Sequence, residues 1–218
     1  MTHAATTAQE VWDSLVQGNQ RFITGTAEHP HQTPERRGEL RQRQNPKAAV
    51  LGCSDSRVPG EIVFDCGLGD LFVVRNIGQI VNETVIATME YAVLALGVPL
   101  IVVKAHTSCG AVAAAIAEGS ADPDATTPAI RAALGHIRPA VEQEWRAHQR
   151  DSHVFDPATL DADSAGRHHA SAMLHELSQR SEAIAEAVAA GRLSLVGCQY
   201  DLETGRAVPV TAIGRIQI

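Results

Sequence analysis

Several features that would settle a protein's class at once are missing from this sequence. Its 218 residues carry a formal charge of −7, and that deficit of cations disfavours non-specific binding to nucleic acid or to anionic membranes. Residues 1–10 lack a basic segment followed by an apolar core, so no secretory signal is read there and a cytoplasmic location is the expectation. The longest apolar stretch, 85–103, approaches the length of a membrane span. Glu90 lies inside it, however, and Gly97 and Pro99 break it, so it reads as a buried helix followed by a buried strand. Cysteine is scarce, with four residues and no CxxC pair, which argues for reduced thiols or metal ligands rather than disulfides or a redox dithiol. No phosphate loop occurs, "GLGDL" lacks the rest of a dinucleotide fingerprint, and there is no internal repeat or low-complexity tract.

What the chain does have is the texture of one ordinary α/β domain. An apolar share of 44% and a charged share of 20% suit a globular protein, and the length is enough to bury a core without staples. Thr7-Ala-Gln-Glu10 fits a capping box, and Trp12, Leu15, Val16, Phe22 and Ile23 then recur at helical spacing until Gly25 offers a stop. The polar stretch "TAEHPHQTPERRGELRQRQNPK" reads as a connection with a short helix around Glu35 to Gln42. Residues 1–46 are thus expected to form a helical arm and connection, and 47–218 the α/β domain.

From Lys47 the texture changes. Short apolar runs at 48–52, 71–74, 99–103 and 193–197 alternate with helical patterns, the rhythm of a mostly parallel sheet with flanking helices. The segment "LSLVGCQYDLETGRAVPV" reads as a strand, a turn at Glu203 to Gly205 and an antiparallel closing strand. Further helices are expected over 129–150 and 164–190. The helix "ETVIATMEYAVLALG" is apolar on nearly every face, so either its own chain or a second subunit must cover it.

Two polar interruptions of apolar strands carry the chemistry. In "AAVLGCSDSRVPGE" a strand stops at Cys53, with Asp55 and Arg57 at two-residue steps; in "LIVVKAHTSCGAVAAAIAEG" a strand ends at His106 and a helix begins after Cys109. Ligand sites of α/β sheets gather outside the carboxyl ends of strands, and two such ends can be neighbours. Two sulfurs and one imidazole form a soft cluster that suits zinc, and three protein ligands leave a fourth position for water or substrate. If residues 53, 55 and 57 are extended they face one way, so Asp55 either binds the metal or faces whatever does. A two-pronged pair with Arg57 is what would hold it off the metal.

These residues also show a resemblance. "CSDSRVPGE", "LFVVRNIG", "EYAVLALGV", "HTSCGAV" and "VGCQYDLETG", in this order, resemble the β-class carbonic anhydrases from about Val11 to Val208. The resemblance implies an α/β enzyme with one zinc ion per chain that interconverts carbon dioxide and bicarbonate through zinc-bound hydroxide. It also implies a homodimer or a dimer of dimers in which the N-terminal helix wraps a partner subunit. Cys53, His106 and Cys109 match the family's zinc ligands, and Asp55 with Arg57 its catalytic dyad, with Asp55 a fourth ligand in a closed state. Gln44, Phe72, Tyr91 and Gly110 match positions associated with the substrate, part of that lining coming from the neighbouring subunit.

The chain departs from the family pattern twice. Ala105 stands where the family usually has Gly before the ligand histidine, which requires a negative φ there. Val50 stands where members with a regulatory bicarbonate carry Trp, so that site is not expected to be complete although Arg75 and Tyr200 match it. Two other functions fit the same residues: a zinc hydrolase of carbonyl sulfide or carbon disulfide, and a non-catalytic zinc- or bicarbonate-binding module with Asp55 permanently on the metal. Cys66 and Cys198 read as ordinary buried residues. The histidines at 136, 148, 153, 168, 169 and 175 read as solvated helix faces.

Overall fold

A computed structural model describes residues 6–118, 126–148 and 155–218. Five strands form one sheet in the order β2-β1-β3-β4-β5: β1 is Ala48–Cys53, β2 Leu71–Asn76, β3 Leu100–His106, β4 Ser194–Tyr200 and β5 Ala207–Ile213. The first three pairings are parallel and β4–β5 is antiparallel, closed by the turn at Asp201 to Gly205. The three central strands are buried along their whole length, which is why they read as continuous apolar runs rather than alternating ones.

Helices cover both faces. They are α1 (Ala8–Thr24), α2 (Pro34–Glu39), α3 (Gly60–Val63), α4 (Glu83–Leu94), α5 (Gly110–Ala117), α6 (Pro128–Gly135), α7 (Arg138–His148), α8 (Ala162–Arg180) and α9 (Glu182–Ala189). One core joins α1, α3, α5, α6 and α7 to Val50, Val102 and Val196; the other joins α4, α8 and α9 to Leu51, Val103 and Leu195. The helices expected at 129–150 and 164–190 are each divided. The first stops at Gly135, with His136 as its C-cap, and the second breaks at Ser181, whose hydroxyl accepts from Ile184 N and opens a new helix. No helix among the described residues is long and apolar enough to cross a membrane.

The N-terminal helix begins at the expected capping box on Thr7 and Glu10 and ends at Gly25 with φ 69°. It lays Val11, Trp12 and Leu15 against this chain's own core, so anything it offers a partner must come from its other face, where Val16 is exposed. Buried Asn19 ties this helix to the rest. Its Nδ2 donates to Val63 O (3.0 Å) and Gly205 O (2.8 Å), and its Oδ1 accepts from Ala207 N (2.9 Å). Asn19→Leu would strand three backbone groups, so a loss of about 3 kcal/mol or more is expected, read as a lower urea midpoint at unchanged slope.

The apolar α4 is covered on one side only. Val85, Met89 and Ala92 are buried against the sheet, while Tyr91 and Leu94 are 52% and 70% exposed.

Candidate active site

The strand order brings the two chemical segments together. Strands β1 and β3 lie side by side and parallel, with Gly52 opposite Lys104, so Cys53 and His106 end at the same edge of the sheet. Cys109 follows a tight turn through Ser108, which takes φ 52°, and caps α5. Ala105 stays within β3 opposite Gln199, in extended backbone without a positive φ, so its methyl group is tolerated. The result is a buried group of Cys53, His106 and Cys109 whose ligand atoms all lie within 4.8 Å of one another.

The donors suit a metal in their chemistry as well as their position. His106 Nδ1–H donates to the Thr107 carbonyl (2.9 Å), so in the neutral ring Nε2 is the nitrogen that carries the lone pair. That Nε2 is fully buried and has no hydrogen-bond partner among the described residues. A buried, unpaired acceptor beside two thiols is costly unless an electrophile completes it, and zinc prefers such a set. Cys53 is held well below the ordinary thiol range, first by Cys109 and then by His106 and the N–H groups of Asp55 and Gly78, against the opposing effect of burial. Cys109 is pushed up, first by Cys53 and then by burial, because the two sulfurs share one proton; the N–H groups of Val112 and Ala111 favour its thiolate. Cys66 and Cys198, by contrast, are pushed up by burial to about 11 and about 12 and lie outside the group.

Asp55 belongs to Arg57 in this structure. The guanidinium donates from Nε to Oδ1 (2.9 Å) and from Nη2 to Oδ2 (2.7 Å), and Arg57 N adds a third bond to Oδ1 (2.9 Å). The same Nη2 reaches Ser108 O (3.2 Å), linking the pair to the loop that carries Cys109. Hydrogen bonding to Arg57, more than any other influence, holds the Asp55 carboxyl far below its usual range. Asp55 Oδ2 nevertheless stands only 4.0 Å from His106 Nε2, so the carboxylate faces the group without joining it.

Two further cations fix this loop from beneath. Arg75 donates to the carbonyls of Cys53 (Nε, 2.9 Å) and Asp55. Lys104, fully buried on β3, donates to Val58 O (2.9 Å) and lies 5.5 Å from the centre of the Tyr200 ring. Arg75 and Tyr200, the two residues matching the regulatory bicarbonate pattern, therefore already have partners in the chain. Lys104 was not singled out from the sequence, although a lone lysine in an apolar strand is the visible signal of a buried role.

The expected substrate residues divide. Gly110 is exposed at the start of α5, with open space where a Cβ would stand. Gln44, Phe72 and Tyr91 gather elsewhere: the Phe72 and Tyr91 rings are 6.0 Å apart, and Gln44 and Tyr91 line one cavity of about 780 Å³ with Arg41 and Leu96. Phe72 pairs with Ala49, four residues before Cys53, so this cluster lies about 13 Å back along the strands from the cysteine–histidine group. A single chain does not bring the two clusters together. Of the histidines read as solvated, His169 is a correction: it is completely buried on α8, because Ala165, His169, Met173 and Leu177 share one inward stripe. His168 is half-buried beside Glu144 (3.3 Å), and His153 and the side chain of His148 lie outside the described residues.

The family model for carbonic anhydrase matches residues 48–207. Carbonic anhydrase 2 of Mycobacterium tuberculosis is 42% identical over 208 residues, covering 94% of this chain and 94% of that protein. The carbonic anhydrase of Pseudomonas aeruginosa is 40% identical over 173 residues, covering 77% of this chain and 74% of that one. In fold, the chain is similar to a tetrameric β-carbonic anhydrase from Sordaria macrospora, with a TM-score of 0.71 at 24% identity over 94% of this chain and 100% of that chain.

Proposed function

The chain belongs to the β-class carbonic anhydrases, and from that premise we propose that it hydrates carbon dioxide reversibly at one zinc ion per chain held by Cys53, His106 and Cys109. The observation that carries this reading is the buried, unpartnered Nε2 of His106 facing two sulfurs and a carboxylate. Zinc, when bound there, supplies the Lewis acidity that brings the pKa of a water toward 7.

The chain's own residues supply the rest. The peptide N–H groups of Asp55, Gly78, Ala111 and Val112 stabilise the thiolates that hold the ion. Asp55, kept ionised by Arg57, can only accept hydrogen bonds; it would accept one from the O–H of the attacking group and so leave that oxygen's lone pair directed at carbon dioxide. Because Asp55 is depressed so far, its own titration lies well below neutrality, and a rise in hydration rate with pH between about 6 and 9 must follow another ionisation. Arg57 keeps the carboxylate from turning onto the ligand group.

Gln44, Phe72 and Tyr91 serve the site of a second copy. They lie one strand length from their own cysteines, on a face where Tyr91 and Leu94 are exposed, and together they offer one amide and two rings to a small apolar gas and its bicarbonate product. The working unit is accordingly a homodimer or a dimer of dimers; the related protein from Sordaria macrospora is a tetramer.

Metal analysis with stopped-flow carbon dioxide hydration from about pH 6 to 9 tests the proposal. One zinc per chain and a rate rising along a single ionisation are expected. Tight zinc with no hydration anywhere in that range would mean a binding module, and turnover of carbonyl sulfide or carbon disulfide in preference to carbon dioxide would mean the related hydrolase.

A further inference from the structure

The loop between His106 and Cys109 turns on a strained residue. Ser108 takes φ 52°, a conformation costly for any residue with a Cβ. It is exposed, so packing does not enforce the turn, and such strain persists only where the surroundings over-determine it. Hydrogen bonds do so here. Thr107 is fixed by the end of β4 and the turn beyond it: its N–H donates to Tyr200 O (2.9 Å) and its Oγ1 accepts from Leu202 N (2.9 Å). The peptide groups on either side of Ser108 go elsewhere. Ser108 N donates to Asp163 Oδ1 (2.8 Å), and Ser108 O accepts from Arg57 Nη2 (3.2 Å).

Asp163, the second residue of α8, is held independently of that loop. Its N–H donates to the N-cap Asp161 Oδ1 (2.9 Å), and its carbonyl accepts from Nε2 of Gln199 (2.7 Å), a buried residue of β4 whose Oε1 accepts from Arg167 Nη1 (3.1 Å). The helix runs so close to the sheet there that a Cβ on Gly166 would stand 3.2 Å from Gln199 Nε2. The Asp163 carboxylate therefore reaches the ligand loop from a rigid mount. Arg57, at the other end, has none. Its side chain is 52% exposed, so its place is set by the groups it donates to, the Asp55 carboxylate and the Ser108 carbonyl. Asp55 can turn about its own side-chain bonds; the Ser108 carbonyl belongs to a clamped backbone.

We propose that Asp163 is a positioning residue for the Asp55–Arg57 pair: by gripping Ser108 N–H it holds the turn that presents the Ser108 carbonyl to Arg57, and so anchors the guanidinium that keeps Asp55 off the ligand group. The inference rests on the role given to Arg57 above and goes beyond it, because it assigns work to a carboxylate on another element that acts through a backbone N–H.

The experiment uses the full chain loaded with zinc, as wild type, Asp163→Ala, Asp163→Asn, Arg57→Ala and the double variant of Asp163→Ala with Arg57→Ala. Asparagine keeps an oxygen that can accept from Ser108 N; alanine removes it. We expect Asp163→Ala to keep its zinc, to lower kcat for carbon dioxide hydration about 10-fold with KM little changed, and to exchange the Arg57 Nε–H, followed by NMR, about 10-fold faster. Asp163→Asn should return both rates to within about 3-fold of wild type. In the Arg57→Ala background the Asp163 substitution should cost nothing further, since no guanidinium remains to be anchored. A purely structural role would lower the urea midpoint of Asp163→Ala and leave kcat and Arg57 exchange unchanged, or would cost the same factor in both backgrounds; either result overturns the inference. Loss of zinc from Asp163→Ala would place its action on the ligand loop instead of Arg57, and overturns it too. If Asp163→Ala fails to fold, Asp163→Ser, too short to reach Ser108 N, takes its place against Asp163→Asn and the same outcomes decide. Wild-type hydration by Arg57→Ala at full zinc would strike down the role of Arg57 itself, and this inference with it.

Discussion

Cys109→Ser is expected to empty the metal centre and lower carbon dioxide hydration at least about 1,000-fold, while the fold survives. Serine is close to the thiol in size and stands at the N-cap of α5, where serine is a favoured residue and where Cys109 makes no side-chain cap hydrogen bond to lose, so no cavity opens and no backbone donor is stranded. What changes is the ligand. A hydroxyl does not ionise near neutral pH and is a poor partner for zinc, so the group falls from three donors to Cys53 and His106. The measurement is zinc per chain after dialysis together with stopped-flow hydration. Full zinc and a rate within a few-fold of wild type would exclude Cys109 as a ligand.

The second large effect separates metal binding from catalysis. Arg57→Ala is expected to keep zinc and lose hydration by about 100-fold or more. Both Asp55 oxygens lean on the guanidinium, at 2.9 and 2.7 Å, and Oδ2 is already 4.0 Å from His106 Nε2. Without Arg57 the carboxylate keeps only the residue-57 peptide N–H, and a turn of its side chain carries it toward the ligand group, where it would exclude the water. Arg57→Lys should recover part of the rate, because an ammonium supplies the charge but not the two-pronged grip. Near wild-type hydration by Arg57→Ala at full zinc content would remove Arg57 from the mechanism.

Much of the site could be read directly from the residues because its signals are local. A cysteine, an aspartate and an arginine at two-residue steps after an apolar run, and a histidine three residues before another cysteine at a helix start, are positions along single segments. The backbone converts them into geometry without help from distant parts of the chain. The strands were legible for the same reason, since buried parallel strands are continuous apolar runs bounded by polar residues. The break at Ser181 was harder to see, because the helical patterns on either side run together without a glycine or proline; that at Gly135 was marked by the glycine and by Pro139 at the start of the next helix.

His169 and Lys104 illustrate a different limit. Histidine in a polar helix and lysine in an apolar strand each contradict their neighbours, and pattern alone assigns the histidine to water. Their burial depends on which face α8 turns to the sheet and on a carbonyl, of Gly78 or Val58, waiting at the right place. Those carbonyls belong to loops far away in sequence.

By itself the sequence determined the element types, the three candidate ligands, the Asp55–Arg57 pair and the antiparallel closing hairpin, because each is set by spacing within about 20 residues. Tertiary structure alone decided that β1 and β3 are adjacent, so that Cys53 and His106 share an edge, and that Gln44, Phe72 and Tyr91 lie a strand length away from them. The reason is physical. Strand order and register are chosen by the packing of whole faces, a property of the assembled core that no single segment carries.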